Sequence, residues 1–373
     1  MARRTPNSEL RTPNLARLVP LLLDWFSKNA RDLPWRRTRD PYAIWVSEIM
    51  LQQTQVKTVI PYWERWMREL PTIEAAAKVP SEKIHKLWEG LGYYTRVRNL
   101  QKAAQAIVEK NGGTFPEKFD DVLALPGIGR YTAGAICSIA FNQPTPILDG
   151  NVIRVLTRIF GIAENPKEKQ TNARLWQLAE ELVLNSKLKI KNSKLCCSHL
   201  NQSLMELGAL VCTPRNPQCQ ICPVKMLCVA FKENRVKESP NLGKREAATA
   251  RRFFTFVVEK KGRFLVRQRP AGIVNAHLWE FPNIEITNGK SNPKFAAKNV
   301  LGVAPVYIEP LSTVKHSITR YRITLEAFHI RLKYSPPKSA GVWLTPKQFD
   351  SLAFSSAHKK LASFASNRIL SGR

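Results

Sequence analysis

The sequence predicts a multidomain protein in which an all-α domain precedes a smaller α+β domain. From residue 14 to about 231, apolar residues recur at helical spacing in segments that Pro and Gly interrupt. Beyond residue 252, short runs rich in β-branched and aromatic residues indicate strands. Between these regions, charged residues replace the apolar pattern. We therefore expect a helical domain over residues 1–231, a linker over 232–250 and a second domain over 251–373.

The charge of the chain predicts a polyanionic partner. Among 373 residues, 58 Lys and Arg outnumber 29 Asp and Glu, which gives a formal net charge of +29. Such an excess favours nucleic acid. An anionic membrane is the weaker alternative, because no apolar run approaches the length of a spanning helix. The N-terminal sequence lacks the apolar core of a signal peptide, so we expect a protein that is not secreted: cytoplasmic and nucleoid-associated in a bacterium, or organellar or nuclear in a eukaryote.

The segment D-P-Y-A-I-W-V-S-E-I-M-L-Q-Q carries a carboxylate, Glu48, inside an apolar helix. Asp40 is a good N-cap and Pro41 a good first helical residue, so the helix should begin here. At about 100° per residue, apolar side chains flank Glu48 on both sides. Glu48 can reach water or pair with an Arg. Alternatively, burial raises its pKa and makes it a general acid.

A turn containing Gly127 and Gly129 lies in L-P-G-I-G-R-Y-T-A-G-A-I, between two helical segments at about 120–140. Glycines allow a partner to approach the backbone, and the amides at the start of the following helix attract anions. In a basic all-α protein this pattern indicates a helix-hairpin-helix that binds DNA phosphates without reading sequence.

Asp149 follows in P-I-L-D-G-N-V-I-R-V-L, at the start of the next helix. It can be a simple N-cap, or a fixed carboxylate that faces whatever the hairpin holds, with Asn151 beside it. A raised-pKa acid such as Glu48 and an ionised partner such as Asp149 are what cleavage of a glycosidic bond requires. If the glycoside is a nucleotide, its base must be flipped out of the duplex.

Four cysteines, Cys212, Cys219, Cys222 and Cys228, lie in one compact loop. Four thiolates can enclose a tetrahedral metal ion or a cubane. Zinc sites usually have two short Cys pairs separated by a longer span, whereas these spacers are uneven. We therefore favour a [4Fe-4S] cluster. The Lys-rich segment 187–195 is predicted to be a surface loop, and its role is left open.

Together these motifs resemble the endonuclease III superfamily of helix-hairpin-helix DNA glycosylases. The G-x-G turn with its downstream Asp and the Cys-x6-Cys-x2-Cys-x5-Cys loop carry that resemblance. S-E-I-M-L-Q-Q-T-Q-V, W-E-G-L-G-Y-Y-T-R-V-R-N-L and the appended second domain are similar to MutY-type adenine DNA glycosylases, which remove adenine mispaired with 8-oxoguanine. The resemblance implies double-stranded DNA with adenine opposite 8-oxoguanine or guanine as the substrate, and we expect a monomer.

The resemblance also implies roles for individual residues. Glu48 protonates the adenine ring, and Asp149 stabilises the oxocarbenium ion with support from Tyr131 and Asn151. The residues that match the adenine pocket are Trp35, Arg36 and Gln202. Those that match contacts to the duplex or to 8-oxoguanine are Gln53, Thr54, Tyr93, Gly127, Gly129 and Thr319.

Three departures refine this prediction. Strand-cutting members of the superfamily have a Schiff-base Lys where this chain has Tyr131, so we expect a monofunctional glycosylase. The second domain resembles the Nudix-like, MutT-related domain, but K-F-A-A-K-N-V-L-G-V replaces the metal-binding box, so we expect no pyrophosphate hydrolysis. Ile318 and Arg320 flank Thr319 where the family has Phe and His, which puts the stringency of 8-oxoguanine recognition in question.

Two alternatives remain. One is a pyrimidine-lesion or thymine-mismatch glycosylase of the same superfamily, which would share the hairpin and the cluster. The other is a non-enzymatic iron-sulfur DNA-binding protein, which would have no need of Glu48 in an apolar helix.

Overall fold

The computed structural model of the chain describes residues 14–189, 196–244, 246–287, 292–318 and 320–370. These residues divide into two compact units, one formed by residues up to 67 with 102–245, the other by residues 68–101 with 246–373. Within the described residues, none of the helices has both the length and the apolarity needed to cross a bilayer. The predicted combination of an all-α domain and an α+β domain is confirmed.

The described part of the chain up to Lys232 contains twelve α-helices. In chain order they are α1 Leu15–Asn29, α2 Pro41–Leu51, α3 Val56–Glu69, α4 Ile73–Lys78, α5 Ser81–Leu87, α6 Thr95–Asn111, α7 Phe119–Leu123, α8 Arg130–Phe141, α9 Gly150–Phe160, α10 Lys169–Lys189, α11 Cys196–Leu210 and α12 Val229–Lys232. The Lys-rich segment lies largely outside the described residues, because only its first three residues belong to α10.

Helix α2 begins where the sequence predicts. The Asp40 side chain accepts hydrogen bonds from the amides of Tyr42 and Ala43, and Pro41 is the first helical residue. Every residue from Tyr42 to Met50 is buried. A helix that is buried on all faces needs apolar residues all round, which explains the composition of this segment. Glu48 therefore lies in the interior of the first unit, with 5% of its surface exposed.

The core of the first unit forms where α1, α9, α10 and α11 meet. Its buried members include Leu18, Leu22, Val155, Leu182 and Leu204. This core fixes α9, whose N-cap is Asp149, and α11, which carries the buried Gln202 near its middle. The two helices that border the candidate site are thus held by apolar packing away from it.

The second unit contains a sheet with strand order β3-β2-β1-β6-β5, in which β4 also pairs with β1 and β7 with β2. The strands are β1 Thr249–Lys260, β2 Arg263–Gln268, β3 Trp279–Glu280, β4 Asn283–Glu285, β5 Pro305–Ile318, β6 Tyr321–Leu332 and β7 Val342–Leu344. Strands β1 and β6 run parallel, and the other pairs are antiparallel. The helices are α13 Pro293–Leu301, α14 Pro346–Phe349 and α15 Ser356–Leu370.

Separate apolar cores cover the two faces of this sheet. On one side α13 packs through Ala297 and Leu301 against Phe254 and its neighbours. On the other side Phe349 and Leu361, from α14 and α15, pack against the sheet. Helix α13 occupies the segment where a metal-binding Nudix box would lie, and its sequence P-K-F-A-A-K-N-V-L contains no carboxylate.

The division of the chain differs from the predicted domain boundaries in one respect. The boundary at 245/246 lies inside the segment predicted to be a linker, but residues 68–101 group with the second unit rather than with the helical domain. The buried Glu89 carboxylate accepts a hydrogen bond from the Phe354 amide and pairs with Lys359. Lys86 donates to the carbonyl of Leu352. These polar contacts tie the segment to the sheet-containing domain.

Candidate active site and iron-sulfur loop

A cavity of about 580 Å³ opens in the first unit among α2, α8, α9 and α11. Its volume is in the range of pockets that bury small ligands. The predicted site residues that line it are Trp35, Arg36, Glu48, Gln53, Thr54, Gly129, Tyr131, Asp149, Asn151 and Gln202. Residues far apart in sequence, predicted from separate motifs, therefore share one cavity.

The pKa of Glu48 is raised, mainly because its carboxyl group is buried. Burial strips water from its carboxyl group and, together with the nearby charge of Asp149, raises its pKa to about 7, although the Tyr131 hydrogen bond and Arg36 oppose the shift. The Tyr131 hydroxyl lies 2.8 Å from Glu48 Oε2 and donates to it. Burial also raises the pKa of Tyr131 well above its ordinary value, so this hydroxyl keeps its proton. Near neutral pH, Glu48 can carry a proton inside the cavity.

Asp149 both caps a helix and lines the cavity. It is the N-cap of α9, and its Oδ1 accepts the Val152 amide at 2.8 Å. Its Oδ2 accepts the side-chain amide of Asn151, also at 2.8 Å. These two hydrogen bonds fix the direction of the carboxyl group. Asp149 therefore offers an oriented carboxyl group in the same cavity as Glu48.

A buried arginine connects this carboxylate to the cysteine loop. Arg154 Nη2 donates to Asn151 Oδ1 at 2.8 Å and to the Gly208 carbonyl at 2.7 Å. Its Nε donates to the carbonyl of Cys212 at 2.7 Å. One guanidinium thus holds α9, α11 and the start of the loop in register, and sequence reasoning did not identify it.

Sequence reasoning also missed Glu206, a third carboxylate on the cavity wall. It is 1% exposed and accepts hydrogen bonds from Arg31 and Arg36. Burial favours its neutral form, but these hydrogen bonds outweigh burial and lower its pKa to about 2. The available signal was the one that revealed Glu48, an acidic residue in an apolar helix, here N-Q-S-L-M-E-L-G.

The other residues predicted to contact the base or the duplex lie in different parts of the chain. Gln53, on the cavity rim, has a left-handed backbone with φ of 56°. Trp35 lines the cavity and also packs edge-on against Trp63. Tyr93 belongs to the second unit, where it is 41% exposed with φ of 47°. Thr319 lies outside the described residues.

The hairpin joins α7 to α8 through a turn in which Gly127 has φ of 78°. Gly129 is the N-cap of α8, and no side chain caps this helix end. Because no described side chain caps them, the first-turn amides of α8 are available to bind an anion. Arg130 begins α8 and stacks on Trp176 with its guanidinium carbon 4.0 Å from the ring centre. The geometry suits contact with a phosphate backbone.

The four loop cysteines line a second, mainly apolar cavity. Burial raises the pKa of Cys222 to about 12 and that of Cys228 to about 11, so their thiolates require a compensating cation. The buried Arg158 aims Nη1 at Cys212 Sγ, 3.3 Å away, as a donor to a charged sulfur would.

Family comparisons agree with the fold and the site. Residues 46–181 match the HhH-GPD superfamily of base excision DNA repair proteins, residues 212–228 the iron-sulfur binding domain of endonuclease III, and residues 254–363 the NUDIX domain. The chain is therefore a helix-hairpin-helix base excision repair protein with an iron-sulfur loop and a Nudix-like domain. Its cofactor is a [4Fe-4S] cluster, which Cys212, Cys219, Cys222 and Cys228 would hold and which would cross-link the loop when bound.

Comparison with individual relatives shows which family of DNA glycosylases the chain belongs to. The chain is 35% identical to the adenine DNA glycosylase of Mus musculus over 400 residues, covering 91% of this chain and 76% of the relative. It is 33% identical to the adenine DNA glycosylase of Buchnera aphidicola subsp. Schizaphis graminum, covering 87% of this chain and 91% of the relative. A solved thermostable thymine-DNA glycosylase aligns with 31% identity and a TM-score of 0.52, over 58% of this chain and 97% of that one. The chain belongs to the adenine DNA glycosylase family, and DNA is its partner.

Proposed function

We propose that this chain, acting as a monomer, excises adenine paired with 8-oxoguanine or guanine by hydrolysing the N-glycosidic bond. The observation that carries the proposal is Glu48, a carboxyl group with a pKa raised to about 7 in a cavity that also holds Asp149. The relatives that match both units are adenine DNA glycosylases. The thymine-DNA glycosylase aligns with little more than half of this chain, which favours adenine over a thymine mismatch.

The first step is protonation of the flipped base. Glu48, in its acid form, donates a proton to a ring nitrogen of adenine, which turns the base into a better leaving group. The Tyr131 hydroxyl donates to Glu48 Oε2, so the proton that reaches the base is carried by Oε1. Removal of water from the cavity keeps Glu48 protonated until a base enters.

The second step is stabilisation of the sugar. As the bond to the base breaks, positive charge develops on the deoxyribose, and the carboxylate of Asp149 lies in the cavity with its direction fixed by Val152 and Asn151. Arg154 holds Asn151 in place from behind. A preoriented anion costs no reorganisation when the charge appears.

A water molecule then adds to C1′ of the sugar and gives up a proton, which the now ionised Glu48 can accept. The product is an abasic site in an uncut strand. No lysine is among the described residues that line the cavity, and Tyr131 has no amine to form a Schiff base. Arg31 and Arg36 are engaged with Glu206. The described residues of the cavity wall therefore offer no amine for strand cleavage by that route.

Recognition of the opposite base is the part that rests on the sequence resemblance. We assign it to Gln53 and Thr54 in the first unit and to Tyr93 and Thr319 in the second. Exposure and a left-handed backbone suit Tyr93 to a wedge between bases. Arg320, which approaches Glu246 and stacks on Tyr321, is a charged neighbour of Thr319.

The test compares wild type, Glu48→Gln and the exposed control Glu64→Gln on three duplexes: adenine opposite 8-oxoguanine, adenine opposite guanine, and thymine opposite guanine. We expect wild type and Glu64→Gln to excise adenine, leaving a strand that breaks only after alkali. We expect Glu48→Gln to bind normally but to excise at least about 100-fold more slowly.

Other outcomes identify the alternatives. Excision of thymine in preference to adenine would point to the thymine-mismatch glycosylase. Tight binding by wild type with no excision of any base would point to a non-enzymatic DNA-binding protein. Strand cleavage without alkali would contradict the monofunctional mechanism.

A further inference from the structure

Tyr93 lies in the turn between α5 and α6, in a backbone conformation that is unfavourable for a tyrosine. Its φ of 47° is in the left-handed region, which residues other than glycine seldom adopt, and 41% of its surface is exposed. Such a conformation persists only where the surrounding structure holds it. The contacts of this turn therefore show what keeps Tyr93 in place.

Arg96 fixes the peptide groups on both sides of Tyr93. The Gly92 carbonyl belongs to the peptide that leads into Tyr93, and it accepts a hydrogen bond from Arg96 Nη2 at 3.1 Å. The same nitrogen donates to the Leu91 carbonyl at 3.0 Å. On the other side, the Tyr93 carbonyl accepts the backbone amide of Arg96 at 2.9 Å. A guanidinium can only donate, so the direction of its bonds is unambiguous.

The Arg96 guanidinium also lies close to two aromatic rings. Its carbon is 5.5 Å from the centre of the Tyr93 ring and 5.3 Å from that of Trp88, within the range of cation–π attraction. Burial lowers the pKa of Arg96 to about 10, so the side chain is still a cation at neutral pH. Trp88 is fully buried, and its Nε1 donates to the Gly92 carbonyl at 3.0 Å. Arg96 thus links the exposed Tyr93 ring to a buried one.

We propose that Arg96 is a positioning residue that holds Tyr93 in its exposed, left-handed conformation, so that the wedge is already formed when DNA binds. A wedge that is ordered beforehand does not have to be ordered during binding, which leaves more of the binding energy for separating the bases. Arg96 acts through Tyr93 and needs no contact with DNA of its own. This inference rests on the wedge role given to Tyr93 in the proposed function.

The test is a double-mutant cycle between Arg96 and Tyr93. Arg96→Met keeps a long unbranched side chain but removes every donor, and Tyr93→Ala removes the wedge. Single-turnover excision of adenine opposite 8-oxoguanine is measured for wild type, both single variants and the double variant. We expect Arg96→Met to slow excision about tenfold in the wild-type background, and to have little further effect in the Tyr93→Ala background.

Arg98→Met is the matched control. Arg98 is also half-buried in α6, but it donates to the Ala276 carbonyl and the Thr95 hydroxyl instead of the turn before Tyr93. We expect this variant to excise at the wild-type rate, even where its unfolding temperature falls as much as that of Arg96→Met. Equal slowing by Arg98→Met, or the same slowing by Arg96→Met with and without the Tyr93 ring, would overturn the inference.

A second measurement does not depend on excision. A 2-aminopurine placed next to 8-oxoguanine becomes more fluorescent when it is unstacked, so its signal on binding reports insertion of the wedge. In the Glu48→Gln background, we expect a rise that Tyr93→Ala abolishes and Arg96→Met reduces. An unchanged rise in Arg96→Met would contradict the positioning role. If wild type excises no adenine, the proposed function fails, and the fluorescence still decides the role of Arg96.

Discussion

At the scale of single residues, Glu48 shows a conflict between stability and chemistry. Its pKa in the folded chain is raised to about 7, against about 4.5 when exposed. Between these values the folded state binds more protons than the unfolded state, so the stabilisation that the raised pKa provides at low pH is lost as pH rises toward 7. The same burial that prepares the proton donor therefore weakens the fold at neutral pH.

Glu48→Gln should remove this pH dependence. Gln cannot ionise, so the stability of the variant relative to wild type should increase from pH 5 to pH 8 by roughly 2 kcal/mol. Denaturant unfolding at both pH values measures the difference, with Glu64→Gln as an exposed control. If the stability of Glu48→Gln relative to wild type is the same at both pH values, the pKa of Glu48 in the folded chain is not raised.

Local patterns in the sequence were sufficient to predict some residues of the candidate site but not others. Glu48 was predictable because its flanks are apolar, and Asp149 because an Asp before Gly and an apolar helix is a recognisable N-cap. The pair of Glu206 with Arg31 was not predictable, because the two residues are 175 positions apart and only the packing of the helices brings them together.

At the scale of elements, the strands rich in aromatic and β-branched residues were predictable, and β5 was not. The segment P-V-Y-I-E-P-L-S-T-V-K-H-S-I contains two prolines, which usually argue against a strand. Strand β5 is at the edge of the sheet, and register shifts accompany both prolines. An edge position tolerates the missing amides, and that position is not visible in a local pattern.

At Gly208, α11 closely approaches the end of α9 that begins at Asp149. A Cβ added there would lie 2.7 Å from Asn151 Cβ and 3.1 Å from the Asn151 carbonyl oxygen. We expect Gly208→Ala to push Asn151, and with it Asp149, away from the cavity and to slow excision by on the order of 10- to 100-fold. Single-turnover rates at saturating enzyme measure this effect.

Gly150→Ala is the matched control for this substitution. A Cβ at Gly150 meets no atom within 4 Å, although the residue is next to Asp149. The control should therefore keep its thermal stability, whereas Gly208→Ala should unfold at a lower temperature. Wild-type excision by Gly208→Ala would mean that the contact between α11 and Asn151 does not position the carboxylate.

At the scale of the whole molecule, the order of the sequence does not coincide with the order of the compact units. The boundary between the units at 245/246 lies within the charged segment 232–250, which is predicted to be a linker. Residues 68–101 have the helical periodicity of their neighbours, so no compositional signal distinguishes them. Their assignment to the second unit depends on contacts of Lys86 and Glu89 with residues more than 260 positions later.

Glu89 should therefore stabilise the second unit more than its single charge suggests. It is 6% exposed, and its carboxylate accepts the buried Phe354 amide and pairs with Lys86 and Lys359. Glu89→Ala leaves that amide without an acceptor and two lysines without their anion, which should cost about 1–3 kcal/mol. Glu82→Ala, an exposed carboxylate in α5, should cost little. Thermal unfolding of the full chain, followed by circular dichroism in the β-sheet region, distinguishes the two variants. Equal unfolding temperatures for Glu89→Ala and Glu82→Ala would mean that residues 68–101 are held to the sheet by apolar packing alone.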